Sequence, residues 1–309
     1  MSPRSLLLLS ALLCAGCAVH VGPGDAAWKT LTGGHRGDAT LADGYRMHYV
    51  DLGSKNGPAV LLVHGYGDSS YSFNRTVRPL LAAGFRVVAL DLPGLGRSEI
   101  PPEPFDYSVE NQARQVLALA RRLKLGRFHL VGHSMGGGVA LYIAWKHPGR
   151  LRSVVPIAPA SFNPAGALSV MGKLPVAGLV EPFFRRWVIR TALLDVIHDD
   201  RMVDEAMVDE YARVTRKAGF MRVLMRMVAQ FFSPRHDAMT RAFGAIRTPM
   251  LVVWGEEDRW LPCWRGGELA RKVPGALYVR VPAAGHMVHM ERPEVVNPFL
   301  VKFLQVHSL

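Results

Sequence analysis

Seven short apolar runs separated by segments of helical length constrain this chain more than any other feature. They cover residues 45–51, 59–64, 85–91, 128–132, 153–158, 250–254 and 277–281. Most are rich in Val and Leu without period-two alternation, the pattern of parallel strands buried on both faces. Helical patterns lie between them: one after Asn74, one over 109–123, one over 135–147 and one after Arg265. A last one follows Pro293 and carries Phe299, Leu300 and Phe303 at helical spacing. Alternating strand and helix predicts an α/β domain with a mostly parallel central sheet flanked by helices. With 309 residues, 49% of them hydrophobic, the chain has enough apolar surface for such a core.

The alternation breaks over 161–244, which has no convincing strand but has amphipathic helical runs rich in methionine and aromatics. Phe183, Phe184, Trp187, Met221, Met225, Met227, Phe231 and Phe232 belong to it. Because it lies between two sheet strands, it is expected as a helical cap above the strand ends, leaving 41–160 and 245–309 as the core domain. Its apolar side chains have two readings: cap helices packing on one another, or an adaptable wall for an acyl chain.

The first residues read as an address. Arg4 precedes an apolar run from Leu6 to Ala15 that is too short to span a bilayer, which predicts an export signal over 1–17. Leu13-Cys14-Ala15-Gly16-Cys17 resembles a bacterial lipobox, which implies lipidation of Cys17, although Cys14 stands where that pattern usually has Leu. Ala18 after Cys17 favours the outer membrane by resemblance to lipoprotein sorting. The alternative is an ordinary signal cut after Ala18, leaving a periplasmic or secreted protein. Residues 18–40, rich in Gly and small residues, read as a tether. Export argues against an NAD or ATP cofactor. The 37 Lys and Arg against 25 Asp and Glu give a net charge of +12, but the excess is dispersed, so no nucleic-acid partner is expected. Of the three cysteines, Cys263 lacks the spacing of a metal site and reads as a packing residue.

The chemistry concentrates at Gly132-His133-Ser134-Met135-Gly136, after one strand run and at the start of a helix. This is G-x-S-x-G in its strand–turn–helix setting, the nucleophile elbow. A serine on so sharp a turn needs glycine neighbours for clearance, and the helix N-terminus aims free N–H groups at a developing oxyanion. With this motif, and with His64-Gly65-Tyr66-Gly67, the turn 91–98, Trp254-Gly255-Glu256-Glu257-Asp258 and Gly285-His286 followed by Glu291 and Pro293, the chain resembles the α/β-hydrolase superfamily over about 41–306. Its motif set and N-terminus are similar to those of the bacterial lipolytic lipoproteins and monoacylglycerol-lipase-like serine esterases. The resemblance implies a cap inserted after the sixth strand. It also implies a triad of Ser134, Asp258 and His286, an oxyanion hole from the Tyr66 and Met135 amides, and cleavage of a small carboxylic ester without cofactor or metal. Serine-triad carbon–carbon hydrolases and haloperoxidase-like members share the motifs. A non-catalytic binding protein on the same scaffold is the rival of another class.

Competing residues surround the triad. Glu256 and Glu257 rival Asp258, and His289 rivals His286 but lies three residues past the Gly-His step. His64 and His133 read as structural hydrogen-bonding groups, and Asp91 as a turn residue. The faint phosphate-loop spacing from Gly166 to Lys173 is one residue too long and meets Leu174 where Ser or Thr is needed.

Overall fold

The computed structural model describes residues 24–33, 35–41, 43–161, 186–231 and 234–308. Eight strands form one sheet: β1 (Arg36–Thr40), β2 (Arg46–Leu52), β3 (Ala59–Val63), β4 (Arg86–Leu90), β5 (Phe128–His133), β6 (Leu151–Ile157), β7 (Leu251–Gly255) and β8 (Leu277–Val281). Their order is β1-β2-β4-β3-β5-β6-β7-β8. β2 is antiparallel to both β1 and β4, and the remaining pairs are parallel. The central strands alternate between two apolar clusters, one on each face. Leu61 and Val63 of β3 join one, and Val60 and Leu62 join the other. All four are fully buried, and each such side chain contributes roughly 1.5–3 kcal/mol by leaving water. Two-sided burial is why these runs show no alternation.

The described helices are α1 (Gly24–Thr32), α2 (Val77–Ala82), α3 (Val109–Arg122), α4 (Met135–Lys146), α5 (Arg186–Val196), α6 (Glu205–Val214), α7 (Phe220–Phe231), α8 (Pro234–Arg241), α9 (Trp264–Lys272), α10 (Val288–Glu291) and α11 (Pro293–Val306). The described part of 161–244 contains the four helices α5 to α8 and no strand, in keeping with a helical cap. Met227 and Phe231 of α7 are buried in the core cluster, whereas Trp187 on α5 is exposed. Phe183, Phe184, Phe232 and the 166–173 spacing lie outside the described residues, as do 1–17 and Cys17. No helix among the described residues is long and apolar enough to cross a membrane.

One expectation needs correction. The stretch 18–40 contains a helix, α1, and an edge strand, β1, from residue 24 onward. Trp28 anchors α1, 5% exposed, with its ring edge-on to Tyr71 at 6.4 Å. β1 reads Arg-Gly-Asp-Ala-Thr and buries Ala39 alone, so it gives no apolar run to detect. Its backbone pairing with β2 makes it a strand.

The sheet order also places the site. β3 has β4 on one side and β5 on the other, so the chain reverses its direction of winding there. Beyond the carboxyl ends of two such strands lies the crevice where open α/β sheets bind ligands. His64–Gly67 follows β3 and Ser134 follows β5, both at that crevice, with the cap above.

Candidate active site

Ser134 joins β5 to α4 with φ 51° and ψ −116°, outside the regions that side chains ordinarily adopt. Such backbone costs on the order of 1–3 kcal/mol and persists only where its surroundings fix it. Here the Ser134 amide donates to the Ile157 carbonyl at 2.9 Å, and the Ser134 carbonyl accepts from the Ala160 amide at 2.8 Å. The flanking glycines are required by close approach. A Cβ on Gly132 would collide with the Gly136 carbonyl oxygen, and one on Gly136 with the Val63 carbonyl oxygen.

The three residues expected to act together do meet. The His286 Nε2 lies 2.9 Å from the Ser134 Oγ, and its Nδ1 lies 2.8 Å from Asp258 Oδ2. His286 comes from the loop after β8 and Asp258 from the loop after β7, so three strand ends converge on one chain of hydrogen bonds. Asp258 is buried, and its charge is balanced by donors. Oδ1 accepts from the Trp260 and Leu261 amides at 2.9 and 2.8 Å, and Oδ2 accepts from the Trp254 indole N–H at 3.0 Å as well as from His286. The rival acids are engaged elsewhere: Glu257 accepts from the Ala284 amide at 3.0 Å and Glu256 pairs with Arg280 at 2.8 Å.

The loop after β3 lies against the serine, since a Cβ on Gly65 would sit 3.1 Å from the Ser134 Cβ. The Met135 amide is the first of α4, and first-turn amides have no partner within their own helix. Tyr66 is the next residue of that loop after Gly65 and lines the same cavity as Ser134, so its amide and that of Met135 are the candidates for stabilising an oxyanion. The other candidate histidines are held by backbone hydrogen bonds or by packing. His64 Nε2 accepts from the Leu92 amide at 2.9 Å, and its Nδ1 donates to the Gly65 carbonyl at 2.8 Å. His133 Nε2 donates to the His286 carbonyl at 3.0 Å, and His289 is fully buried against His133 and Phe73. Asp91 is the turn residue expected, accepting from the Ser70 and Arg97 amides at 2.7 Å each. Cys263 is half-buried against the core. Among the described residues no group of His, Cys, Asp or Glu is placed to hold a metal ion.

A cavity of about 160 Å³ opens over Ser134 and His286. Its walls are mostly apolar, with Ile189 and Leu193 from α5 and Phe220 and Leu224 from α7. The methionines singled out in the cap sequence do not line it; neighbouring positions on the same helix do.

Two contributors were not visible as such in the sequence. Trp260 stacks on the His286 ring at 5.8 Å and ties it to the cap by donating its indole N–H to Asp195 at 2.5 Å. Glu291 accepts from the Gly285 amide at 3.0 Å and the His198 amide at 2.7 Å, joining the histidine loop to the segment after α5. Its position in a Gly-His…Glu-x-Pro pattern was a signal, but its partner on the cap was not.

A matching family model, described as Alpha/beta hydrolase family, covers residues 60–299. The chain belongs to that family. This α/β hydrolase is 29% identical over 274 residues to the uncharacterized hydrolase YugF of Bacillus subtilis, covering 85% of this chain and 96% of that one. It is 28% identical to a 2-hydroxy-6-oxo-6-phenylhexa-2,4-dienoate hydrolase of Burkholderia cepacia, over 84% and 91% of the two chains. Its fold matches a putative lipase of Acinetobacter baumannii with a TM-score of 0.79 and 23% identity, over 92% and 95% of the two chains.

Four buried histidines give the hydrolase a pH signature. Burial holds His129 down to about 4 and His289 to about 3, and pushes His133 and His236 down as well. Their folded forms refuse protons that the unfolded chain accepts near pH 6.5. Stability is therefore complete above about pH 6.5 and lost as the pH falls toward 4, by up to ~1.4 kcal/mol per pH unit per histidine. Asp68 and Glu291, whose carboxyls burial pushes upward, oppose the fall, two groups against four. Thermal melting at pH 5 should come several degrees below that at pH 7.5. An unchanged or higher melting temperature at pH 5 would contradict this.

Proposed function

We propose that this hydrolase cleaves carboxylic esters through an acyl-enzyme on Ser134. His286 takes the Ser134 proton as Oγ attacks the ester carbonyl carbon, and the Tyr66 and Met135 amides receive the oxyanion. Collapse expels the alkoxide, which takes the proton from His286. Water, deprotonated by His286 in turn, then releases the acid and restores the serine. Asp258 fixes the imidazole orientation and stabilises its cation. The observation that carries the reading is the unbroken Asp258–His286–Ser134 hydrogen-bond chain at the mouth of an apolar cavity. Apolar walls above a polar reacting centre suit an acyl chain.

The relative from Burkholderia cepacia keeps a second reading open, hydrolysis of a carbon–carbon bond. The test is a panel of p-nitrophenyl esters of increasing chain length and acylglycerols beside a vinylogous diketo acid. Ester turnover that peaks at one acyl length supports our reading. Turnover of the diketo acid alone overturns it in favour of the second.

We further propose, from residues 4–17, that the protein is exported and held at a membrane by lipid on Cys17. Mass analysis of the mature N-terminus should show a diacylglyceryl group on Cys17. An unmodified chain starting at Val19 would reject the anchor.

A further inference from the structure

Among the described residues that line the cavity, Asp68 is the one buried acid that the proposed mechanism leaves unused. It lies four residues past His64 on the loop after β3, is 4% exposed, and lines the same cavity as Ser134 and His286. Its Oδ1 accepts from the Ser69 amide at 2.7 Å, while Oδ2 has no partner within hydrogen-bond distance among the described residues. The neighbouring loop shows what a purely structural acid looks like: buried Asp91 has both carboxylate oxygens bonded to backbone amides. Buried polar atoms are nearly always paired, and an exception calls for a reason.

A second polar group stands beside the first. Tyr211 of α6 lines the cavity; its hydroxyl lies 3.8 Å from the sulfur atoms of Met287 and Met290 and faces the Asp68 carboxyl, which the Ser72 side chain also approaches. Burial pushes the Asp68 carboxyl above its ordinary range. Thr215, also in the wall, already spends its proton on the Ala212 carbonyl at 2.8 Å. The remaining described lining near this pair is apolar, which makes a cationic ligand costly to desolvate there. A hydroxyl can both give and take a hydrogen bond and carries no charge.

Resting on the ester-hydrolase reading, we propose that Asp68 and Tyr211 form a recognition site for a hydroxyl group on the substrate, so that the enzyme prefers hydroxylated esters. The hydroxyl belongs either to the acyl chain or to the alcohol, and two matched substrate pairs separate these sources. One is a p-nitrophenyl ester with a terminal hydroxyl on its acyl chain against the same ester without it. The other is a monoacylglycerol against the propyl ester of the same acid.

Wild type should favour the hydroxylated member of one pair by about 10- to 100-fold in kcat/KM, as a hydrogen bond to a carboxyl group would give. Asp68→Leu, which replaces the acid by an apolar side chain of similar size, should bring that ratio to within about threefold of one. If Asp68→Leu melts early, Tyr211→Phe keeps the ring and must still lower the ratio. Ratios near one for both pairs, with the plain esters turned over normally, would overturn the hydroxyl site and leave the ester hydrolase standing. A preference that survives Asp68→Leu would overturn it equally. No turnover of any ester would remove both readings together.

Discussion

Ser134→Ala should lower ester turnover on the order of 10⁶-fold while leaving the fold intact. The size of the loss follows from the site acting as a unit: without the hydroxyl, His286 has no proton to take and no acyl-enzyme forms. What survives is the contribution of the cavity and of the two amides proposed to receive the oxyanion. The fold should persist because the bonds fixing this turn are made by the backbone. The Ser134 amide to the Ile157 carbonyl and the Ala160 amide to the Ser134 carbonyl are both untouched by the substitution. Circular dichroism and a melting curve overlapping those of wild type, with turnover lost, are the expected pair of results. Retention of more than about one part in a hundred of the activity would mean another group performs the attack, since the hydroxyl alone accounts for far more than that.

Asp258→Asn should cost roughly 10⁴-fold in turnover, as the same change does in serine–histidine–acid triads on other folds. The local geometry explains why so small a change costs so much. Asp258 Oδ1 receives two backbone amides, which would hold the side-chain carbonyl oxygen of an asparagine at that position. Its NH₂ would then face the Trp254 indole N–H and the His286 Nδ1. A donor facing Nδ1 forces the tautomer that carries its proton on Nε2, so the ring cannot accept from Ser134. The change is nearly isosteric, and substrate binding should barely move, so the effect falls on kcat. A loss smaller than about tenfold would indicate that a different acid supports the histidine. Glu256 and Glu257 are the neighbours to examine, although Arg280 and the Ala284 amide hold them.

Most of the sheet was legible because its strands are buried on both faces. β3, Ala-Val-Leu-Leu-Val, cannot satisfy two apolar clusters with any other pattern, and all seven apolar runs became strands with ends shifted by no more than two residues. β1 stayed hidden for the opposite reason. An edge strand facing water on one side needs only backbone partners, and Arg36-Gly-Asp-Ala-Thr40 carries no hydrophobic signal. α1 was masked by the small residues that made its surroundings read as a tether. The site divides along a similar line. Ser134, Asp258 and His286 stand in local motifs whose geometry is imposed by a turn or a strand end, so they could be named from sequence. Trp260, Asp68 and Tyr211 owe their place to contacts across the chain: Trp260 with Asp195 and His286, and Asp68 with a cap helix 143 positions on. No local pattern encodes those meetings.

The most direct test of the account is mass spectrometry of the intact protein after treatment with a fluorophosphonate. We expect a single stoichiometric adduct mapped to Ser134, absent in Ser134→Ala and strongly slowed in His286→Ala. Folded protein that takes up no label, or takes it up at a residue other than Ser134, would contradict the claim that His286 activates this serine.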